Sequence, residues 1–208
     1  MKPSLKQVFD SIDCGFMYPD FYTAMVKRLP SGSRIVEVGS YKGKSLVFLL
    51  MQAQRYKKNF EIIGIDSFAG VREFPDNDLV GEFYEKMNPV LDRITFIEGE
   101  STAVAKRFQN KSCDLVFIDA NHLYEHVIRD IHAWLPKVKK GGIISGHDYS
   151  STYCGVIEAV SEVFGNAINK DYLHEYCWMY EVNTKTVLPL LERCANVIST
   201  LPNRSVIS

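Results

Sequence analysis

An α/β domain built on a mostly parallel sheet is what this sequence predicts, and three observations predict it. Short apolar runs alternate with stretches of helical periodicity along most of the chain. One run, Asp114 to Ile118, is apolar at nearly every position, as a strand buried on both faces must be. No repeat, low-complexity tract or Pro/Gly/Ser-rich linker divides the 208 residues, so the chain (1–208) reads as one domain with a substantial core.

The elements follow in order. Residues 1–30 are expected to form an N-terminal helical segment. Arg34 to Val38 is the first strand, and Ser45 to Gln54 a helix carrying Leu46, Leu49, Leu50 and Ala53 inward. Glu61 to Asp66 is the second strand, Ile94 to Ile97 the third and Asp114 to Ile118 the fourth. Glu125 to Leu135 places Val127, Ile131, Trp134 and Leu135 on one helical face, and Pro136 closes it. Gly141-Gly142 turns into a fifth strand ending near Ser145. Val156, Ile157, Val160, Val163 and Phe164 mark another helix, and Tyr176 to Val182 a late strand. Such alternation predicts right-handed βαβ units with helices on both faces. Ligands then bind beyond the carboxyl ends of the strands. Phe68 to Pro89 is long and rich in Phe, Pro, Asp and Gly, and is expected to cover that site. Residues 183–208 form an amphipathic helical extension with Val187, Leu190, Leu191, Cys194 and Val197 in its stripe, suited to a packed helix, a lid or a homodimer contact.

Composition narrows the function. Apolar residues make up 46% and charged residues 24%, the balance of a soluble globular protein. A formal net charge of -1 provides no basic field for a nucleic-acid backbone. The densest basic cluster, Lys137, Lys139 and Lys140, reads as a solvated loop. Five scattered cysteines without a CxxC pair argue against a disulfide framework or structural zinc and for a reducing compartment. Met1 to Asp10 lacks the pattern of a signal peptide, and no run reaches transmembrane length. A cytoplasmic protein without membrane or nucleic-acid partners is the expectation.

The first strand runs into Val36-Glu37-Val38-Gly39-Ser40-Tyr41-Lys42-Gly43-Lys44-Ser45. Glycines there permit a tight turn and close approach to a ligand, with helix N-terminal amides facing it. The dinucleotide pattern GxGxxG and the P-loop GxxxxGK[ST] are both absent, which removes the two phosphate-binding readings. Glu37 lies within a buried strand, where a carboxylate is costly without a partner. Asp66 ends the second strand, where a carboxylate accepts hydrogen bonds from ribose hydroxyls. The loop resembles the E-x-G-x-x-x-G-x-S segment of class I methyltransferases of the catechol O-methyltransferase group. That resemblance implies a Rossmann-like three-layer α/β/α sandwich whose seven-stranded, mostly parallel sheet ends in an antiparallel strand. It also implies S-adenosylmethionine as cofactor. Glu37, through water, would face the methionine end, with Gly39, Ser40, Tyr41, Gly43 and Ser45 shaping the pocket. Asp66 and Ser67 would take the ribose, Gly99 and Ser101 the adenine, and Asp119 would border the same cavity.

Two further segments, Phe117-Ile118-Asp119-Ala120-Asn121-His122 and Ile144-Ser145-Gly146-His147-Asp148-Tyr149, end the fourth and fifth strands. Folding should bring their carboxylates and imidazoles to one mouth, a setting for a metal, a proton relay or both. They resemble the D-x-x-H and second-acid motifs of metal-dependent O-methyltransferases, including sugar-modifying ones. The resemblance implies Asp119, His147 and Asp148 as ligands of a divalent metal and His122 as general base. A histidine at the third ligand position suits Mn²⁺, Fe²⁺ or Zn²⁺ better than Mg²⁺. The implied acceptor is a small hydroxylated molecule, a sugar or phenol, with Tyr41 and Tyr149 as its aromatic lining. His126 and His132 are expected on the helix as surface or partly packed residues. Two alternatives stand beside this: a metal-independent methyltransferase, and a non-catalytic S-adenosylmethionine-binding protein.

Overall fold

The computed structural model describes residues 2–69 and 78–201. Six strands form its sheet: β1 (Arg34–Val38), β2 (Glu61–Asp66), β3 (Thr95–Glu98), β4 (Cys113–Ile118), β5 (Val138–Gly146) and β6 (Trp178–Glu181). Their spatial order is β3-β2-β1-β4-β5-β6. All neighbours run parallel except β5 and β6, which pair antiparallel with Ser145 opposite Met179. The order reverses between β1 and β4, so a crevice opens above these two strands, where such sheets bind ligands.

Side chains alternating along each strand feed two cores. Ile35, Leu115, Phe117, Ile143 and Met179 point to one face. There they meet α1 (Leu5–Ser11), α2 (Pro19–Arg28), α3 (Lys44–Arg55) and α4 (Leu79–Met87). Val36, Val38, Val116, Ile118, Ile144 and Trp178 point to the other. Covering them are α5 (Ser101–Ala105), α6 (Tyr124–Trp134), α7 (Cys154–Phe164) and α8 (Thr184–Thr200). This is the expected three-layer sandwich. Helix α2 is started by a distant carboxylate: buried Glu175 accepts from the amides of Asp20 at 2.9 Å and Phe21 at 2.7 Å, satisfying two orphan donors.

The strand count corrects one expectation. Six strands, not seven, are present among the described residues, with the last antiparallel as expected. Beyond β6 only a single antiparallel bridge joins Asn169 to Met179. The Asn169 side chain accepts from the amide of Asp171 at 2.7 Å, and this local turn draws the chain out of the extended form after one residue.

The two irregular stretches also take shape. Within Phe68 to Pro89, α4 buries Leu79, Phe83 and Met87, one residue per turn, while residues 70–77 lie outside the described residues. In the extension, α8 buries Leu190 and Cys194 and packs Val187, Leu191, Val197 and Ile198 on the second core. Its stripe is used within its own domain; residues 202–208 lie outside the described residues. Among the described residues no helix is long and apolar enough to cross a membrane.

Candidate active site

A cavity of about 790 Å³ opens at the carboxyl ends of β1, β2, β3 and β4. Every residue singled out for cofactor, metal or proton transfer lines it, except Glu37 and Gly43. The turn after β1 is locked to its neighbours: the amides of Gly39 and Ser40 bond the Ile65 carbonyl at 2.8 and 3.2 Å, and the Asp119 amide bonds the Val38 carbonyl at 2.7 Å. At Gly39 the backbone has φ of 89°, and a Cβ there would stand 2.0 Å from the Asp119 carbonyl oxygen. Only glycine lets these two strand ends close.

Glu37 lies one layer below the cavity. It points to the α2/α3 face and is completely buried. Ser45 Oγ donates to one oxygen at 2.7 Å, and the Tyr22 hydroxyl donates to the other. Burial pushes its pKa up to about 7, against the opposing pull of those two donors. Ser45 does line the cavity, so it separates Glu37 from the ligand space.

Asp66 organises the rim. One oxygen accepts from the Tyr41 amide at 2.7 Å and the other from the Phe68 amide at 2.8 Å. Both donors sit on left-handed residues, with φ of 46° and 52°, a conformation costly for bulky side chains. The carboxylate therefore fixes two turns, and each oxygen still keeps a lone pair for a ligand hydroxyl. Burial raises its pKa while the amide donors oppose that rise.

Beyond β3, Ser101 opens α5. Its hydroxyl accepts from Trp134 Nε1 at 2.9 Å and lies near enough to Asp130, a buried α6 residue that also lines the cavity, to favour its charged form. Burial pushes Asp130 up to about 7, and the like charge of Glu100 adds to the rise.

The acid–imidazole cluster lines the same cavity. His122 Nε2 lies 2.7 Å from Asp148 Oδ2, while His147 Nδ1 lies 3.1 Å from Asp148 Oδ1 and 3.7 Å from Asp119 Oδ1. Tyr18 donates its hydroxyl to the other oxygen of Asp119 at 2.9 Å. Burial opposes charge on His147, but Asp119 and Asp148 outweigh it and hold the imidazole at about 9. Its hydrogen bond to Asp148 likewise raises His122. Burial works to raise Asp148, yet the two imidazoles hold it well below the usual carboxylate range.

Ligand atoms of Asp119, His122 and Asp148 lie within 4.8 Å of one another, close enough to share one ion. His147 adjoins this set through Nδ1, and its Nε2 is buried without a hydrogen-bond partner. Two carboxylates and two imidazoles make a donor set that fits a divalent transition metal.

Some site residues were not legible from the sequence. Tyr18 and Tyr22 come from α2 and its entry and Asp130 from the middle of α6, whereas Tyr153, one of the aromatics the sequence offers for an acceptor pocket, lays its ring 4.3 Å from that of His122. His126, expected as a surface or partly packed residue, is half-buried and also lines the cavity. Tyr149 departs from expectation: Asp148 has φ of 58°, the chain turns there, and the Tyr149 hydroxyl meets Ser161 at 3.1 Å away from the cavity lining.

With that geometry in view, the similarities to known proteins can be stated. A solved protein from Corynebacterium glutamicum shares the fold with a TM-score of 0.60 at 11% identity, over 88% of this chain and 92% of the other. The apo structure of CalS11, TDP-rhamnose 3'-O-methyltransferase, an enzyme in calicheamicin biosynthesis, gives 0.53 at 16% identity over 85% and 90%. MycE methyltransferase from the mycinamycin biosynthetic pathway, in complex with Mg, SAH and mycinamycin VI, gives 0.53 at 18% identity over 88% and 55%. The sequence matches no curated protein. The model of a family described as a methyltransferase domain matches residues 36–149, from the β1 glycine turn through the His147-Asp148 pair and over more than half of the chain. This chain belongs to that methyltransferase-domain family.

Proposed function

We propose that this methyltransferase is a single-domain, S-adenosylmethionine-dependent O-methyltransferase acting on a small hydroxylated acceptor, a sugar or a phenol. One observation carries the reading. A single cavity is lined both by the glycine turn and Asp66 and by a carboxylate–imidazole cluster. The cofactor, when bound, supplies an electrophilic methyl group. Gly39, Ser40, Tyr41 and Ser45 would hold its methionine portion, Asp66 and Ser67 its ribose, and Gly99 and Ser101 its adenine, with Asp119 alongside. Glu37 and Gly43 act from below the surface, the first through Ser45 and the second by starting α3 in a left-handed turn.

At the acceptor end, Asp148 fixes His122 through Nε2, leaving Nδ1 to take the proton of the acceptor hydroxyl. Asp119 and Asp148 would hold a divalent metal there, with His122 the imidazole whose ligand atom lies within 4.8 Å of both and His147 the third ligand that the resemblance implies. Such an ion lowers the pKa of a bound hydroxyl. Among the described residues, Lys42 pairs with Glu82, and Lys44 donates to the Ile12 and Cys14 carbonyls. These two cations are engaged by the protein itself, whereas Arg129 also lines the cavity.

Thermal unfolding with S-adenosylhomocysteine, beside NAD⁺ in a parallel sample, tests the cofactor assignment. At a hundred times its dissociation constant a ligand stabilises by about 2.7 kcal/mol. For a domain of this size that raises Tm by roughly 5–10 °C. A rise with S-adenosylhomocysteine alone is expected; a rise with NAD⁺ alone, or none with either, overturns the reading. Adding EDTA and then Mn²⁺ to a methyl-transfer assay separates the metal-dependent form from its metal-independent alternative.

A further inference from the structure

Asp130 is a buried carboxyl without a stated task. It sits on α6, two turns below the acid–imidazole cluster, and is 5% exposed. What exposure remains is to the cavity, at the end lined by Gly99, Ser101 and Thr102. Its one side-chain partner is the Ser101 hydroxyl, and the charge that weighs on it is the like-signed Glu100. Ser101 Oγ accepts from Trp134 Nε1 at 2.9 Å, which leaves its own hydrogen available to Asp130. A chain of Trp134, Ser101 and Asp130 therefore ends in an acceptor oxygen facing open space.

A buried carboxyl with one donor is under-satisfied, and each missing hydrogen bond costs most where water is excluded. Resting on the function proposed above, the ligand at this end is a purine. An adenine offers an exocyclic amine as its outward donor, whereas a hypoxanthine offers a carbonyl oxygen at the same position. We propose that Asp130 recognises the exocyclic amine of the cofactor's adenine, accepting from it with the oxygen that Ser101 leaves free. Trp134 and Ser101 are positioning residues that keep this carboxyl turned inward.

Isothermal titration calorimetry at pH 8 with two ligands, S-adenosylhomocysteine and S-inosylhomocysteine, tests the assignment. Wild-type protein is expected to prefer the adenosyl ligand by roughly tenfold or more, the scale of one charge-assisted hydrogen bond. Asp130→Asn keeps the size and adds an amide donor able to meet the hypoxanthine oxygen. It is expected to weaken the adenosyl ligand and narrow or reverse the preference. Equal binding of the two ligands by wild-type protein overturns the proposal without any variant, and leaves the cofactor assignment intact. An unchanged preference in Asp130→Asn overturns it equally. Failure of wild-type protein to bind either ligand removes the cofactor assignment first and this inference with it.

Discussion

Changing His122 to alanine is expected to lower kcat by about 10²–10⁴-fold, the usual contribution of a positioned general base. Affinity for S-adenosylhomocysteine should survive, since the substitution leaves the glycine turn and Asp66 in place. The ring is held on two sides: Asp148 grips Nε2 at 2.7 Å, and Tyr153 packs against its face. That support fixes the tautomer and the direction of Nδ1, as a base requires. Asp148→Asn keeps the shape but removes the charge that makes the imidazole more basic, so its turnover should fall between the two. Because His122 also stands within reach of a shared ion, the assay is run with Mn²⁺ titrated to saturation. Turnover that stays low at saturating metal identifies a base. Full recovery would make His122 a metal ligand instead, and an unchanged kcat would remove it from the chemistry.

The parts of this site that were legible in the sequence are the ones carried by contiguous segments. Gly39 to Ser45 is a strand end, a turn and a helix start, and each demands residue types that stand out in a linear reading. Asp66, Asp119 and Asp148 are legible for a related reason: a polar residue that terminates an apolar strand lands at the sheet's binding edge whatever the rest of the fold does. The same logic gave the two cores, because alternation along a strand assigns each side chain to a face.

What escaped depends on how helices sit on the sheet. Tyr18 reaches Asp119 across 101 positions, and nothing local to Tyr18-Pro19-Asp20 signals that reach. Asp130 reads as a solvent-facing break in an apolar helical stripe until Ser101 and Trp134 enclose it. The missing seventh strand belongs to the same class. A family resemblance implies it, but the side chain of Asn169 settles that stretch locally. Tyr149 failed for a backbone reason, since the left-handed turn at Asp148 carries the next side chain off toward Ser161.

Glu37 links cofactor site and stability, and its behaviour has a definite sign. The folded protein holds this carboxyl at about 7 against 4.5 for an unburied one, with burial as the main cause. Between those values the native state binds the proton that the unfolded chain has released, so stability falls as pH rises through this window. Below about 4.5 both states are protonated and no penalty exists; above about 7 it is complete, at about 3 kcal/mol from a displacement of this size. Gln at this position reproduces the donor and acceptor set of the protonated acid, accepting from Ser45 and donating to the Tyr22 oxygen. Denaturant unfolding at pH 5 and pH 8 is therefore expected to show Glu37→Gln close to wild type at pH 5 and more stable at pH 8. Asp130 is displaced in the same direction and contributes its own slope to both proteins, so the difference between them isolates Glu37. An equal pH dependence in the two proteins would mean that Glu37 is already ionised in the folded state near pH 5. If the difference appears, the strand-end acid is a destabilising group in the free protein. Its role is then a negative charge one layer beneath a cationic ligand, and S-adenosylmethionine, which carries the sulfonium, should bind Glu37→Gln more weakly than wild type at pH 8.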